Sequence, residues 1–269
     1  MPIAKRSQSP KKQQKAKVVI ITGASSGIGR EAAAYFAKRG WKVVLNGRNE
    51  QNLNATVEEC HEAGAKDSDV ASVAGDITSP TTAQQLIKTA LDTFGRIDSL
   101  INNAGYGSPL KKFEDAPIEE FDDVIDTNVR SVIRLTKLAI PHIIASKGTI
   151  VNISSVVALT SSPGTGYYSM SKAALDQFTK ILAVELAPNG VRVNSVNPAM
   201  IETKFLKNMG TTSDEEKQYL EHAKKSHALG RTGRVDEVAK AIFFLAGSDS
   251  SFTTGELMKV DGGFCLMRP

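Results

Sequence analysis

The order of events between Lys17 and Ala37 constrains this chain more than anything else in it. The apolar run Val18-Val19-Ile20-Ile21 leads straight into Thr22-Gly23-Ala24-Ser25-Ser26-Gly27-Ile28-Gly29 and then into Arg30-Glu31-Ala32-Ala33-Ala34-Tyr35-Phe36-Ala37. Four β-branched residues read as a buried strand, and the alanine-rich stretch reads as a helix. The glycines allow a tight turn and a close approach of backbone to a ligand. The helix start offers unpaired N–H groups and a positive dipole end, which is what a pyrophosphate requires. The spacing is G-x-x-x-G-x-G rather than the commoner G-x-G-x-x-G. A dinucleotide-binding loop is therefore expected, with Gly23, Ser25, Ser26, Gly27, Ile28 and Gly29 at the phosphates; the competing reading is an ordinary strand-to-helix turn.

The rest of the chain repeats the strand-then-helix alternation. Strands are expected at Val18–Ile21, Lys42–Leu45, Val70–Ala74, Ser99–Ile101, Thr149–Ile153, Arg192–Val196 and Leu257–Val260. Helices are expected near Ile28–Lys38, Glu50–Ala63, Pro80–Phe94, Ile118–Ile144, Tyr167–Leu186 and Val235–Leu245. Ser79-Pro80 reads as an N-cap followed by proline at the first helical position, and Gly40, Gly64, Gly95 and Gly190 fall where helix C-caps are wanted. Such alternation gives an α/β fold: a doubly wound, seven-stranded parallel sheet flanked by helices, in a single domain spanning 17–269. One segment breaks the pattern. Residues 199–231 form a polar, partly helical insertion after the sixth strand, where ligands sit in such sheets. Its Met200, Ile201, Phe205, Leu206, Met209, Tyr219 and Leu220 either pack this flap onto the body or form a lid over an apolar substrate.

Charge narrows the function classes. Six of the 33 Lys and Arg residues lie in Met1–Lys17 and none of the 29 acids does, so the net charge of +4 is owed to the tail and the remainder is slightly acidic. A nucleic-acid footprint should cover a folded face, so no nucleic-acid partner is expected. The tail, residues 1–16, reads as disordered and lacks the apolar segment of a signal peptide. No run reaches the ~18–20 apolar residues that a membrane helix needs. Two cysteines, Cys60 and Cys265, without paired spacing point to a reducing, cytoplasmic setting. The four histidines show no metal-ligand pattern, so no metal is expected; His222 and His227 read as solvated.

Chemistry enters with Tyr168-Ser169-Met170-Ser171-Lys172. A phenol and an ammonium at i and i+4 share one helix face. A free tyrosine releases its proton near pH ~10, and a neighbouring cation lowers that value, making tyrosine usable as an acid or base near neutrality. Tyr167 is a decoy, since Ser171 rather than a lysine lies four residues beyond it. The second strand ends Leu45-Asn46-Gly47-Arg48-Asn49. An acid at Gly47 would bind a ribose 2′-hydroxyl and repel a 2′-phosphate; none is present, and Arg48 offers a forked, charge-assisted hold on phosphate. NADP(H) is expected over NAD(H), although Ser26, inside the glycine loop, is not a second basic residue.

Together with Asn102-Asn103-Ala104-Gly105, Asn128, Ser155, Pro198, Thr203 and Val260-Asp261-Gly262-Gly263, these motifs make nearly the whole chain resemble the short-chain dehydrogenase/reductase family. The resemblance implies a Rossmann fold and hydride transfer between nicotinamide and a carbonyl carbon. It assigns proton donation to Tyr168, support of the substrate oxygen to Ser155 (in preference to Ser154) and ribose binding and acidification of the phenol to Lys172. Asn128 would anchor a water in the proton relay. Asp76 and Ile77 would meet the adenine, Asn103, Ala104 and Gly105 its ribose, and Pro198, Ile201 and Thr203 the carboxamide. Ala199 stands where the family usually has glycine. The implied activity is a carbonyl reductase or secondary-alcohol dehydrogenase acting on a small apolar substrate, with 3-oxoacyl-thioester reduction as the alternative and a catalytically silent NADP(H) sensor more remote. A homo-oligomer, tetramer or dimer, also follows from the resemblance.

Overall fold

The structure is a computed structural model that describes residues 16–267. All but the last residue of the basic tail expected to be disordered lies outside the described residues.

The strands are β1 (Val18–Ile21), β2 (Lys42–Gly47), β3 (Val70–Ala74), β4 (Ser99–Asn102), β5 (Thr149–Ile153), β6 (Arg192–Pro198) and β7 (Leu257–Val260). They form one all-parallel sheet in the order β3-β2-β1-β4-β5-β6-β7. The helices are α1 (Gly27–Ala37), α2 (Glu50–Glu62), α3 (Pro80–Phe94), α4 (Ile118–Ile125), α5 (Ser131–Ser146), α6 (Gly166–Leu186), α7 (Phe205–Asn208), α8 (Ser213–Ser226) and α9 (Val235–Ala246). The strand order reverses direction between β1 and β4, which opens a crevice at their carboxyl ends.

Side chains alternate across a strand, and the two apolar layers follow from that period. Val19, Ile21, Val43, Leu45, Ile101 and Val151 face one side, where they meet Ala33 and Phe36 of α1, Leu53 of α2 and Ile242 of α9. Val18, Ile20, Val44, Leu100, Ile150 and Val193 face the other, against Leu86 of α3, Leu135 and Ile143 of α5 and Leu182 of α6. On this second side the strands change character toward their carboxyl ends. Leu100 gives way to Asn102, Ile150 to Asn152 and Ser154, and Val193 to Ser195 and Asn197, all still buried. Asn102 Nδ2 donates to Asn152 Oδ1 (2.8 Å), and Asn152 Nδ2 donates to Thr179 Oγ1 of α6 (2.8 Å). The sheet is thus greasy where it must hold together and polar where the crevice begins.

Three local expectations are revised. The helix anticipated at Ile118–Ile144 is broken: α4 ends at Ile125, a π-helical turn occupies Asp126–Arg130, and α5 runs on to Ser146. A π turn inserts a residue without a loop, so the hydrophobic period carries through it and hides it from a periodicity argument. Strands β2 and β6 run two residues further than their apolar runs, to Gly47 and Pro198, because Asn46 and Asn197 remain in the sheet. Ser79 stands at the N-cap of α3 but makes no side-chain cap bond.

Candidate functional site

The glycine loop is stapled to the neighbouring strand end. Thr22 Oγ1 accepts hydrogen bonds from the backbone N–H groups of Asn103 and Ala104, both at 3.0 Å. Asn103 Nδ2 donates to the carbonyls of Thr22 (2.8 Å) and Gly23 (3.1 Å). Gly23 and Gly27 adopt φ of +65° and +56°, a region that side chains disfavour. A Cβ on Gly29 would lie 2.4 Å from both Asn103 Nδ2 and the Gly23 carbonyl oxygen. Glycine is therefore strongly favoured at these three positions of the loop. At the head of α1, Ser26 is extended, its side chain makes no cap bond, and the first turn carries no acid, so the positive helix end is left available. Arg30 braces the loop from behind, donating to the Ser25 carbonyl (2.8 Å) and pairing with Glu59 (3.3 Å). Sequence reasoning missed Arg30 as a support and treated Thr22 only as the lead-in to the motif.

A cavity of about 560 Å³ crosses the carboxyl ends of the strands. Of the anticipated site residues, Gly23, Ser25, Ser26, Gly27, Ile28, Arg48, Asp76, Ile77, Asn103, Ala104, Gly105, Ser155, Tyr168, Pro198, Ile201 and Thr203 line it. Gly29, Asn128 and Lys172 stand one layer behind. Arg48 is exposed, its Nη1 3.9 Å from Asp76 Oδ2. Asp76 Oδ1 meanwhile accepts from Thr78 N (2.9 Å) and Thr78 Oγ1 (2.8 Å), so the acid caps its own turn as well as facing the cavity. A bare-backbone cradle with an uncovered helix end, and a guanidinium at the rim, suits a dinucleotide: the Gly23–Gly29 loop would take the pyrophosphate and the Asp76 and Asn103 side the adenosine.

The reactive groups converge at the ends of β5 and α6. Ser155 is extended; its Oγ donates to the Pro198 carbonyl (3.4 Å) and also bonds the Tyr168 side chain. Tyr168 is half-buried in the cavity wall. Lys172 is 3% exposed; its Nζ donates to the Ile153 carbonyl (2.8 Å) and lies 5.5 Å from the centre of the Tyr168 ring. Here the electrostatics differ from the sequence expectation. Burial pushes the Tyr168 phenol above the ordinary tyrosine range, and the group that pulls it back is Ser155. Burial brings the Lys172 ammonium down to about 8, with Asp176 opposing the shift. One of the three ammonium N–H groups of Lys172 is engaged by the strand carbonyl, and the cation stands behind the Tyr168 ring.

Asn128 is fully buried in the π turn. Its Oδ1 accepts from Tyr106 N (2.8 Å), and its Nδ2 donates to Tyr106 O (2.8 Å) and Ser171 Oγ (3.0 Å), so both ends of the amide hold the loop after β4. A Cβ on Gly105 would lie 3.5 Å from Lys172 Nζ and 3.6 Å from Asn128 Oδ1, so the bare glycine keeps a gap between them open. The decoy Tyr167 is buried, and its hydroxyl is spent on the Ala116 carbonyl (3.0 Å). Ala199 causes no backbone strain: among the described residues only Lys147, outside glycine, has positive φ.

Residues 199–231 fold over the cavity. The neck is closed by a bridge between Ile201 and Gly233. Phe205 lies 5.5 Å from the Tyr168 ring, and a Cβ on Gly107 would meet Phe205 at 2.9 Å and Met209 Sδ at 3.0 Å. Met200, Phe205, Leu206, Met209 and Tyr219 line the cavity, whereas Leu220 does not. Of the two histidines read as solvated, His222 is exposed but His227 is only 4% exposed. His227 Nδ1 sits 2.5 Å from the Ala223 carbonyl and its ring tilts on Phe264 at 5.2 Å. An i−4 carbonyl at the end of α8 and an aromatic from the carboxyl terminus bury it, neither of which its sequence neighbours reveal.

This sheet, crossover pattern and glycine cradle define a Rossmann-type nucleotide-binding protein. The sequence profile described as enoyl-(acyl carrier protein) reductase matches residues 23–265. A short-chain dehydrogenase/reductase of unknown function from Caenorhabditis elegans, solved with cofactor, superposes with a TM-score of 0.90 at 38% identity, covering 94% of this chain and 96% of that one. The 3-ketoacyl-(acyl-carrier-protein) reductase of Brucella melitensis, solved with NADH, gives 0.84 at 34% identity, covering 93% and 98%. Glucose 1-dehydrogenase of Gluconobacter oxydans is 38% identical over 93% of this chain and 92% of its own. The chain is an oxidoreductase of the short-chain dehydrogenase/reductase family.

Proposed function

We propose that this protein interconverts a ketone and a secondary alcohol, using NADP(H) and a small, largely apolar substrate. The observation that carries the reading is the meeting of Ser155 and Tyr168 at the wall of a cavity, with Lys172 directly behind the Tyr168 ring and a glycine cradle at the cavity's other end. When bound, the nicotinamide supplies or takes up the hydride. Ser155 Oγ and the Tyr168 hydroxyl, already bonded to each other, are placed to hold one carbonyl oxygen between them. Burial keeps Tyr168 protonated at neutral pH, which suits the donor of a proton to an alkoxide as it forms. Lys172, with a value of about 8, remains largely charged near neutrality and offers a cation behind the phenol as it loses its proton. The gap that Gly105 keeps between Lys172 and Asn128 gives the returning proton a route. Phe205 and Met209 cover the reacting end and favour a substrate with apolar flanks.

Arg48 at the rim and the absence of an acid at Gly47 support NADP(H). The Brucella relative's complex with NADH makes NAD(H) the competing cofactor. A 3-oxoacyl thioester is the second substrate reading, favoured by the printed descriptions of the family profile and of that relative. A panel of dicarbonyls, ketosteroids and acyl thioesters, each run with NADPH and with NADH while reduced-nicotinamide absorbance is followed, tests all of this together. NADPH oxidation with a ketone supports the reading; a protein that binds NADPH tightly and oxidises it with no carbonyl in the panel would sink it.

A further inference from the structure

The proposed chemistry uses Lys172 but leaves its buried neighbour without a role. Lys172, Asp176 and Thr179 follow one another at i, i+4 and i+7 along α6, and all three are at least 95% buried. They form a polar stripe on the face that meets the polar ends of β5 and β6. Asp176 Oδ2 accepts from Asn197 Nδ2 at 2.8 Å, and Asp176 Oδ1 accepts from Ser195 Oγ at 3.2 Å. The same Asn197 amide also donates to the Ser155 carbonyl at 3.1 Å. Ser154 Oγ donates to the Lys172 carbonyl at 3.2 Å and bonds the Asp176 carboxyl as well. One carboxyl therefore gathers β5, β6 and α6 at the point where Ser155, Tyr168 and Lys172 leave the scaffold.

We propose that Asp176 is a positioning residue: its carboxylate is the counter-charge that keeps the buried Lys172 ammonium charged, and through Asn197 it fixes the backbone of Ser155. A buried cation lacking an opposite charge gives up its proton, and a buried carboxylate survives only when hydrogen bonds saturate it. Here Asp176 stands one helical turn from Lys172 as the opposite charge, and Ser154, Ser195 and Asn197 supply the hydrogen bonds its carboxylate needs. The pKa directions agree with this geometry: burial raises Asp176 while Lys172 and the three hydrogen-bond donors pull it back, and Asp176 in turn holds Lys172 up. The titratable groups facing Lys172 are Tyr168 and Asp176 on its own helix. The other elements around the Lys172–Asp176 stripe offer Ile153 from β5 and Ser154 just beyond it, Ser195 and Asn197 from β6 on the Asp176 side, and Gly105 from the loop after β4 on the Lys172 side, none of which titrates in the working range.

The inference builds on the redox reading but is tested separately from it. In full-length protein labelled with ε-13C lysine, the Lys172 resonance is assigned by its loss in Lys172→Met and titrated without any substrate. Wild type should show a midpoint near 8, and Asp176→Asn should lower it by about one pH unit or more. Asn197→Ala, which keeps the carboxyl, should move it by less than half as much. For turnover, both variants should lose roughly tenfold to a hundredfold in kcat on the best carbonyl of the panel, with dinucleotide Kd changed less than about threefold. An unmoved lysine midpoint in folded Asp176→Asn overturns the counter-charge role; an unchanged kcat in Asn197→Ala overturns the brace. If Asp176→Asn is not recovered folded, Ser195→Ala must shift the midpoint downward by a smaller amount, and no shift there overturns the proposal. Should wild type reduce nothing, the redox reading falls while the titration still judges the coupling between Asp176 and Lys172.

Discussion

At the glycine-loop end of the cavity the walls are backbone; at the lid end they are side chains. The first is fixed by hard contacts: a Cβ on Gly23 or Gly29 would fall 2.9 Å or less from Asn103 and its neighbours, and the staple from Thr22 and Asn103 leaves the loop one path. The second is fixed by Phe205, Leu206, Met209 and Tyr219, side chains that could be exchanged for others of similar volume without disturbing a single strand. A protein built this way keeps its cofactor geometry under drift while its substrate preference is free to wander. The groups proposed to act on the substrate, Ser155, Tyr168 and Lys172, sit at the seam, carried by a strand end and a long helix.

The largest effect should come at that seam. Tyr168→Phe removes the proton donor and should lower turnover about 10²–10⁴-fold while NADPH affinity, measured by fluorescence titration, stays within a few-fold. Retained activity would mean that the chemistry lies elsewhere in the cavity. Gly29→Ala comes next. The clash at 2.4 Å with Asn103 and the Gly23 carbonyl should cost about 1–3 kcal/mol, seen together as a lower Tm and weaker dinucleotide binding. An unchanged Kd would show that the loop has more room than its contacts allow.

Arg48→Ala should weaken NADPH binding by about 1.5 kcal/mol, roughly tenfold, and leave NADH untouched. The side chain is largely exposed, so the loss should shrink as salt is raised. Equal losses for both cofactors would remove Arg48 from the 2′-phosphate. The smallest effect belongs to the lid. Phe205→Ala should raise KM about 2–10-fold through loss of the ring contact with Tyr168, with Tm and cofactor Kd nearly unchanged. A Tm drop of many degrees would instead make residues 199–231 part of the core.

The same division governs how much could be read from the chain beforehand. The seven strands and the glycine loop were legible because alternation, β-branched runs and glycine spacing are local consequences of geometry. Tyr168 and Lys172 could be paired from their i, i+4 spacing on one helix face, whereas Ser155 joined them only through the resemblance to the family; the fold brings all three to the ends of β5 and α6. The π turn at Asp126–Arg130 was not, since an i→i+5 hydrogen bond leaves the apolar rhythm intact. Nor was the upward push on the Tyr168 phenol, whose cause is burial among side chains that come together only in the folded chain. Asp176 carries no signal along the chain, because its partners Ser195 and Asn197 belong to β6 and meet it only in the folded sheet.

The switch from apolar to polar side chains along one face of β5 and β6 carries an evolutionary corollary. A relative with leucines in place of Ser195 and Asn197 would leave the acid on α6 with Ser154 as its one remaining side-chain donor, a loss of several kcal/mol out of the roughly 5–15 kcal/mol that hold an ordinary fold together. Substitutions at these three positions should therefore travel together. A lineage that loses all three should have found another way to keep its lysine protonated, or should work at lower pH.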